Sequence, residues 1–265
     1  MKTLSLIIPV YNEEKTLENI VNKVLLLEKD IFFQENDIQL ELILVDDCSK
    51  DESLKVANLL ATNNNKIKVF SHSKNKGKGR ALKTGFENAN GDFIGIQDAD
   101  NEYNPYDYIK MLKIMLNKEA DIVYGSRYLK QDTKQVLSFY HTIMNKGLTL
   151  LTNVFTNLDI TDMETCYKLF KKDIIKSIAP KLKENRFGFE PEITIYVANK
   201  KCKIYECAID YNPRTYEEGK KIKAKDGFRA LYCILFYGIK CLPLYTKTIL
   251  LIFFLTLIGI FILID

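Results

Sequence analysis

The segment FIGIQDAD, residues 93–100, joins an apolar run directly to two carboxylates. Four apolar residues followed at once by polar ones indicate a short buried strand that ends near Gln97. Side chains alternate along an extended backbone, so Asp98 and Asp100 are expected on the same side. Other apolar runs of this form lie at residues 4–10, 40–45, 67–70 and 121–124.

Apolar residues at helical spacing fill the gaps between these runs. Leu17, Ile20 and Val24 recur at this spacing, as do Leu82 and Phe86. Strands that alternate with helices predict an α/β fold with a mostly parallel, Rossmann-like sheet flanked by helices. Ligands of such sheets bind beyond the carboxyl ends of the strands. Polar clusters follow the strands there, at residues 11–14, 46–49, 98–100 and 125–127.

The second half of the chain predicts a different organisation, with contacts to a membrane. Its pattern indicates a strand at 165–170, a helix at 192–199, a strand at 203–209 and a basic loop at 214–225. We predict one domain over residues 1–225, in which 136–158 lies along a membrane surface. An amphipathic helix over 228–240, within a surface segment 226–243, leads to an apolar run at 244–265. That run approaches the ~20 residues of a transmembrane anchor.

Composition and charge limit the possible partners and compartments. The 38 lysines and arginines against 34 acidic residues are spread along the chain, so nucleic acid is not an expected partner. Six cysteines without a CxxC pair predict reduced packing residues of a cytosolic domain. Pro9 interrupts the first apolar run, which is too short for a signal peptide. Lys240 and Lys247 precede the predicted anchor and only Asp265 follows it, which predicts a single-pass protein with a cytoplasmic domain.

The acidic clusters suggest a metal and a nucleotide. Asp98 and Asp100, with Glu102 close by, form an incomplete oxygen-ligand set for Mg²⁺ or Mn²⁺ that a phosphate would complete. A capped turn is the alternative interpretation. The second cluster, Asp46 and Asp47, favours a nucleoside, whose diol and imide groups need acceptors, although helix capping would also explain it.

Other enzyme classes leave no comparable pattern. The segment KNKGKGR, residues 74–80, opens a helix but matches neither GxxxxGK[ST] nor GxGxxG, so we interpret it as a glycine-rich turn. The only histidines are His72 and His141, and no serine lies in a GxSxG elbow, which excludes the common hydrolase arrangement.

Five motifs together carry a family resemblance: IPVYNEE at 8–14, VDDxSxD at 45–51, NxGxGxA at 75–81, DAD at 98–100 and GSR at 125–127. In this order the chain resembles the family 2 glycosyltransferases of the GT-A fold. Three further motifs, DxxTCYK at 162–168, GFExE at 188–192 and RTYEEGKK at 214–221, resemble the branch of dolichyl-phosphate mannose synthases and polyprenyl-phosphate glycosyltransferases. The resemblance covers about residues 4–240.

The resemblance implies roles for individual residues. The metal would bind Asp98, Asp100 and Glu102, and Asp100 and Arg127 would be the catalytic residues. The nucleotide-sugar would contact Pro9, Tyr11, Glu13, Val45, Asp47, Asp98 and Ala99. The acceptor phosphate would meet Arg127, His141, Asn145, Arg214 and Lys220. Glu102, His141 and Cys48 depart from the branch, where Gln, Arg and Gly are common.

The implied reaction is inverting transfer of one hexose from a GDP-mannose or UDP-glucose type of donor to a polyprenyl phosphate at the membrane. A phosphate acceptor is already an anion and needs no general base. Transfer to a sugar hydroxyl is one alternative, with Asp162 or Glu190 as base, and a non-catalytic nucleotide-binding scaffold is another. A processive polysaccharide synthase is disfavoured because the chain has no tryptophan and so lacks QxxRW.

Overall fold

The computed structural model describes residues 1–130, 133, 135–214, 217, 221, 224–242, 248 and 256. A single sheet of seven strands lies at the centre of this described part. The strands are β1 (Lys2–Val10), β2 (Ile38–Asp46), β3 (Ile67–Ser71), β4 (Phe93–Ile96), β5 (Ile122–Ser126), β6 (Lys168–Lys171) and β7 (Ile204–Ala208). Their order across the sheet is β3-β2-β1-β4-β6-β5-β7.

Strand direction confirms the predicted α/β class. Neighbouring strands are parallel except at β6, which runs antiparallel to β4 and β5. The strand predicted at 165–170 begins only at Lys168. The ammonium group of this buried lysine donates to the carbonyls of Met163, at 2.9 Å, and Thr165. These bonds hold the residues before β6 in a loop beside the sheet.

Helices flank the sheet, as the spacing of apolar residues predicts. Those in the described residues are α1 (Leu17–Leu25), α2 (Ile31–Glu35), α3 (Ser53–Asn63), α4 (Lys78–Asn88), α5 (Asp107–Asn117), α6 (Phe139–Thr156), α7 (Lys172–Ile178), α8 (Phe189–Ala198) and α9 (Ala224–Cys241). The helix predicted at 192–199 therefore begins earlier, at Phe189. Pro191 is tolerated because it lies in the first turn, where a backbone N–H has no helical acceptor.

The core fixes the carboxyl ends of β1 and β2. Leu6, Ile7 and Ile8 are fully buried in succession, as are Leu42 and Ile43. Consecutive buried side chains mean that helices cover both faces of these strands, which is usual for parallel sheets. The polar residues that follow each strand are thereby held at one edge of a rigid sheet.

Two long helices lie where membrane-surface segments are predicted. α6 falls within 136–158, and α9 begins four residues before the helix predicted at 228–240 and ends one residue after it. They pack together where Phe155 lies against Gly238, and α9 also packs on α8 through Ile195, Cys233 and Tyr237. Both helices also carry exposed large apolar side chains, among them Phe139, Tyr140, Leu150, Val154, Phe228 and Tyr232.

The predicted transmembrane anchor at 244–265 lies outside the described residues except for 248 and 256. Among the helices that the structure describes, none combines the length and the apolar character that crossing a bilayer requires. The anchor therefore remains a prediction from the sequence.

Candidate active site

The three carboxylates predicted to hold a metal follow β4, and each lies against a cationic or N–H group. Lys78 Nζ is 2.9 Å from Asp98 Oδ1. Arg214 Nη2 is 3.0 Å from Asp100 Oδ2, and the Arg214 backbone N–H donates to Glu102 Oε1 at 2.9 Å. Asp98, Asp100 and Glu102 are thus in contact with groups from two distant segments, the start of α4 and the chain after β7.

Glu13, from the cluster after β1, belongs to the same site. Its carboxylate accepts from both terminal nitrogens of Arg214 at 3.1 Å and from Lys221 Nζ at 2.6 Å. Lys221 also donates to the carbonyls of Tyr11 and Asn12. The structure therefore brings two predicted clusters, 11–14 and 98–100, and Glu102 together with the basic segment that begins at Arg214.

The electrostatics of the acidic cluster suit a cation. Burial, together with the neighbouring Asp98 and Glu102 carboxylates, raises the pKa of Asp100 to about 7, although Arg214 opposes the shift. Arg214 Nε is buried without a hydrogen-bond acceptor, so the guanidinium is incompletely paired. No three potential metal ligands among the described residues are grouped so that they could hold an ion as they stand. Carboxylate oxygens are the donors that Mg²⁺ or Mn²⁺ prefers, and in this structure Arg214 lies among them.

The carboxylate of Asp47, which is predicted to bind the nucleotide, accepts hydrogen bonds from neighbouring groups of the protein. Its Oδ1 lies 2.7 Å from His72 Nδ1 and accepts from Lys76 N at 2.8 Å, and its Oδ2 accepts from Gly77 N at 2.6 Å. Asp46 is different, because its Oδ1 is buried without a hydrogen-bond partner in the described structure. Asp47 therefore stabilises the loop before α4, whereas Asp46 has one acceptor oxygen without a hydrogen-bond partner in the described structure.

The remaining residues predicted to contact the nucleotide lie at the same sheet edge with unequal exposure. Pro9 and Val45 are paired between β1 and β2. The Val45 side chain is fully buried in the core, and Ala99 is nearly so. Tyr11 is half-buried, with Lys221 Nζ 5.7 Å from its ring centroid.

The backbone conformation and packing of Gly77 require a glycine at this position of the 74–80 segment. Its φ of +97° lies in the region that L side chains rarely adopt. A Cβ atom there would also be 2.4 Å from the Asn185 carbonyl oxygen. Close packing on the segment before α8 is therefore possible only without a side chain. This contact sets the direction in which α4 begins, and with it the position of Lys78.

Arg127, the predicted acceptor residue, forms a buried ion pair that the sequence did not reveal. Its Nε and Nη2 donate to the two oxygens of Asp162, at 2.7 and 2.8 Å. Its guanidinium also lies 5.1 Å from the ring centroid of Tyr211. Arg127, Glu102 and Tyr211 line one cavity of about 670 Å³.

α6 reaches this region through Tyr128. Asn145 Nδ2 donates to the Tyr128 hydroxyl at 3.2 Å, and Lys146 Nζ is 5.5 Å from the centroid of the same ring. His141 is exposed one helical turn before Asn145. Of the predicted acceptor residues, Asn145 therefore contacts the neighbour of Arg127. Lys220 lies outside the described residues.

The contacts of two groups at the site, Lys78 and Glu190, were not predicted from the sequence. Lys78 lies in the segment interpreted as a glycine-rich turn, yet its ammonium group reaches Asp98. Glu190 was considered only as a possible base, and its Oε1 lies 3.6 Å from Lys78 Nζ. The position of Lys78 next to two glycines, at a helix start that faces the sheet edge, was the available signal.

Two known proteins are similar to this chain in sequence over most of its length. The dolichyl-phosphate beta-glucosyltransferase of Trichomonas vaginalis is 29% identical over 225 residues, which cover 83% of this chain and 68% of that protein. The UDP-N-acetylglucosamine–dolichyl-phosphate N-acetylglucosaminyltransferase of Methanococcus voltae is 28% identical over 249 residues, covering 88% of this chain and 95% of that protein.

The fold is also similar to a solved structure, that of glucosyl-3-phosphoglycerate synthase from Mycobacterium tuberculosis in complex with Mn²⁺, UDP and phosphoglyceric acid. The TM-score is 0.67 at 16% identity, over 89% of this chain and 78% of that one. This likeness supports the predicted GT-A fold. The glycosyl transferase family 2 model matches residues 5–179, which is most of the chain. The resemblance predicted from the motifs is therefore confirmed, and the chain belongs to glycosyl transferase family 2.

Proposed function

We propose that this glycosyltransferase moves a single hexose from a nucleoside-diphosphate sugar to a polyprenyl phosphate at a membrane surface. One observation carries the proposal: Arg127 and Glu102 line the same cavity, so a cation for an incoming phosphate shares that cavity with the last of the three carboxylates that follow β4. Both relatives described above are named as dolichyl-phosphate transferases, which supports the same acceptor class.

The donor nucleotide would lie at the carboxyl ends of β1, β2 and β4. Tyr11, Glu13 and the spare oxygen of Asp46 offer a ring and acceptors for the nucleoside. Asp47 acts indirectly in this proposal, by holding the loop before α4. The donor base and the hexose remain open between a GDP-mannose and a UDP-glucose type.

A divalent cation, Mg²⁺ or Mn²⁺, would be held by Asp98, Asp100 and Glu102, and when bound it neutralises charge on the departing diphosphate. The excess negative charge around Asp100 supports this assignment. Arg214 and Lys221 would then be released from Glu13 and the acidic cluster, and both would close over the phosphates. They would exclude water from the bound donor.

The acceptor chemistry requires orientation rather than a base. A phosphate oxygen is already an anion, and Arg127 would hold it in line with the anomeric carbon, which inverts that centre. Asp162 is a weak base in this arrangement because Arg127 engages both of its oxygens and favours the charged carboxylate. Transfer to a sugar hydroxyl would therefore favour Glu190 as the base.

The membrane assignment rests on α6 and α9. Apolar side chains that would be costly in water are exposed along both helices, for example Phe139 and Leu150 on α6 and Phe228 on α9. Helices of this kind lie in the interface of a bilayer, where the phosphate headgroup is found. Residues 136–158 and 226–243 would place the cavity at that surface, on the cytoplasmic side, and 244–265 would anchor the chain.

The test is transfer in membranes that contain the full-length protein. The membranes are incubated with radiolabelled UDP-glucose, GDP-mannose and UDP-N-acetylglucosamine in turn, with a short-chain polyprenyl phosphate. Label should enter an acid-labile, chloroform-soluble product. Label found only in water-soluble glycan would reject the lipid acceptor, and no transfer from any donor would reject the proposed reaction.

The variant Asp100→Asn tests the carboxylate site in the same assay. Transfer should fall by about 100-fold or more, the scale on which enzymes lose activity when a main electrostatic group is removed. Asp173→Asn is the matched control, because Asp173 is an exposed carboxylate at the start of α7. Full activity of Asp100→Asn would contradict the role of Asp100.

A further inference from the structure

The Glu190 carboxylate, at the start of α8, is a buried group with unused hydrogen-bonding capacity. The residue is only 4% exposed. Its Oε2 is buried and has no hydrogen-bond partner in the described structure. Its Oε1 lies 3.6 Å from Lys78 Nζ. A buried carboxylate oxygen without a donor is costly, so a bound ligand that donates a hydrogen bond to it would be stabilised.

Lys78 connects this carboxylate to the donor site. Its ammonium group lies 2.9 Å from Asp98 Oδ1 and contacts Glu190 on the other side. One lysine therefore bridges Asp98, which belongs to the proposed diphosphate site, and Glu190. The backbone at both ends is held in place, because Gly77 packs on Asn185 and the Phe86 and Phe189 rings stack at 6.0 Å.

The chemistry of the missing partner follows from charge and position. A phosphate is disfavoured as the partner of Glu190, because its oxygens would face a carboxylate. The nucleoside is expected near β1 and β2. In a nucleoside-diphosphate sugar, the hexose is attached to the diphosphate. Its hydroxyl groups are neutral donors, which suit an oxygen that lacks one.

We propose that Glu190, positioned by Lys78, accepts a hydrogen bond from a hydroxyl group of the donor hexose and is a specificity-determining residue. This inference rests on the proposed function, because it assumes a nucleotide-sugar donor beside Asp98. It differs from the role of general base, in which Glu190 would face a hydroxyl of the acceptor. A site built to accept from a particular hydroxyl discriminates strongly against sugars that lack it in that position.

The experiment compares binding of nucleotide with binding of nucleotide-sugar. Purified full-length protein in detergent with Mn²⁺ is titrated calorimetrically with UDP, UDP-glucose, GDP and GDP-mannose. In Glu190→Gln, the affinity for the bound nucleotide-sugar should fall by about 10- to 100-fold, the range for a hydrogen bond to a charged group. The affinity for the matching nucleoside diphosphate should stay unchanged, which also shows that the variant is folded.

Glu164→Gln is the matched control. Glu164 also has a buried oxygen without a hydrogen-bond partner in the described structure, but the carboxylates that pair with Lys78 there are those of Asp98 and Glu190. Burial and the nearby Glu190 carboxylate raise the pKa of Glu164 to about 8, so an amide changes little at pH 7. Binding of nucleotide and nucleotide-sugar by this variant should match the wild type.

Three results would overturn the inference. Equal losses for nucleotide and nucleotide-sugar in Glu190→Gln would assign Glu190 to the diphosphate or to folding. Unchanged nucleotide-sugar affinity with lost turnover would assign it to a general base. A wild-type protein that binds none of the four ligands would instead reject the proposed function itself, together with the inference that depends on it.

Discussion

Arg127 and Asp162 form a buried ion pair at the wall of the cavity, with 2.7 Å between Nε and Oδ2. The Arg127 backbone N–H donates to the same carboxylate, at 3.0 Å. The Arg127 and Asp162 side chains are 8% and 0% exposed, so neither charge is solvated by water. The pair fixes the plane of the guanidinium, which an acceptor phosphate would need in a defined orientation.

We therefore predict that stability and activity separate in variants of this pair. Arg127→Met leaves a buried carboxylate unpaired and should lower the free energy of unfolding by about 3–5 kcal/mol. The double variant Arg127→Met/Asp162→Leu removes both charges and should be more stable than the single variant. Both should lose transfer. Denaturant unfolding in detergent measures stability, and a double variant less stable than Arg127→Met would contradict this account.

Single residues were predictable from the sequence where strand ends decide their position, and not where distant segments meet. Asp98, Asp100 and Glu102 follow an obvious strand, so their proximity could be expected. The partner of Arg127 could not, since Asp162 is 35 residues away and was considered only as a base. The contact of Lys78 with Asp98 was not predicted for a similar reason, because it depends on the direction in which α4 begins.

Among the secondary-structure elements, α4 is notable because its first residues are fixed by contacts with two distant segments. The loop before it is held by Asp47, which accepts from Lys76 N and Gly77 N, and by contact with the segment before α8. A helix that begins at a strand edge directs its first N–H groups and side chains toward the ligand site. The conformation of one glycine thus controls where Lys78 points.

Replacing this glycine tests that dependence. Gly77→Ala should destabilise the protein by about 1–3 kcal/mol, because alanine is strained at φ +97° and its Cβ would meet the Asn185 carbonyl. UDP or GDP binding should weaken with it. Gly147→Ala is the control: a Cβ there meets nothing within 4 Å, and alanine should stabilise the interior of α6 by about 0.5–1 kcal/mol. Equal melting temperatures for both variants would refute the prediction.

The exposed apolar residues of α6 make a second prediction at this scale. Leu150 and Val154, 66% and 68% exposed, lie one turn apart on that helix. Leu150→Glu/Val154→Glu should raise the apparent KM for a long-chain polyprenyl phosphate in vesicles by about tenfold or more, because burial of each side chain contributes about 1.5–3 kcal/mol.

Turnover of a short-chain, water-soluble acceptor by the α6 variant should not change. Ile31→Glu is the matched control, since Ile31 is 69% exposed on α2, which packs on β2. If the α6 variant uses both acceptors as well as the wild type does, α6 has no role at the membrane surface.

Across the whole molecule, the mostly parallel sheet and its flanking helices followed from sequence periodicity, whereas the reversed direction of β6 and the long-range contacts did not. The antiparallel direction of β6 depends on which neighbours it pairs with, and no local pattern encodes that choice. The start of α8 at Phe189 was also not predicted, because Pro191 usually breaks a helix and is tolerated only in the first turn.

A long-range contact in the site joins residues 201 positions apart, where Arg214 binds Glu13 as well as Asp100. Because its guanidinium lies among the carboxylates proposed for the metal, it competes with a divalent cation in the free protein. Arg214→Ala should therefore bind Mn²⁺ at least about fivefold more tightly, or about 1 kcal/mol, while transferring sugar more slowly. Electron paramagnetic resonance titration of free Mn²⁺ measures the affinity. Arg229→Ala, which breaks a two-point pair with Glu184 instead, should bind Mn²⁺ as the wild type does. Weaker Mn²⁺ binding by Arg214→Ala would show that Arg214 supports the cation rather than excluding it.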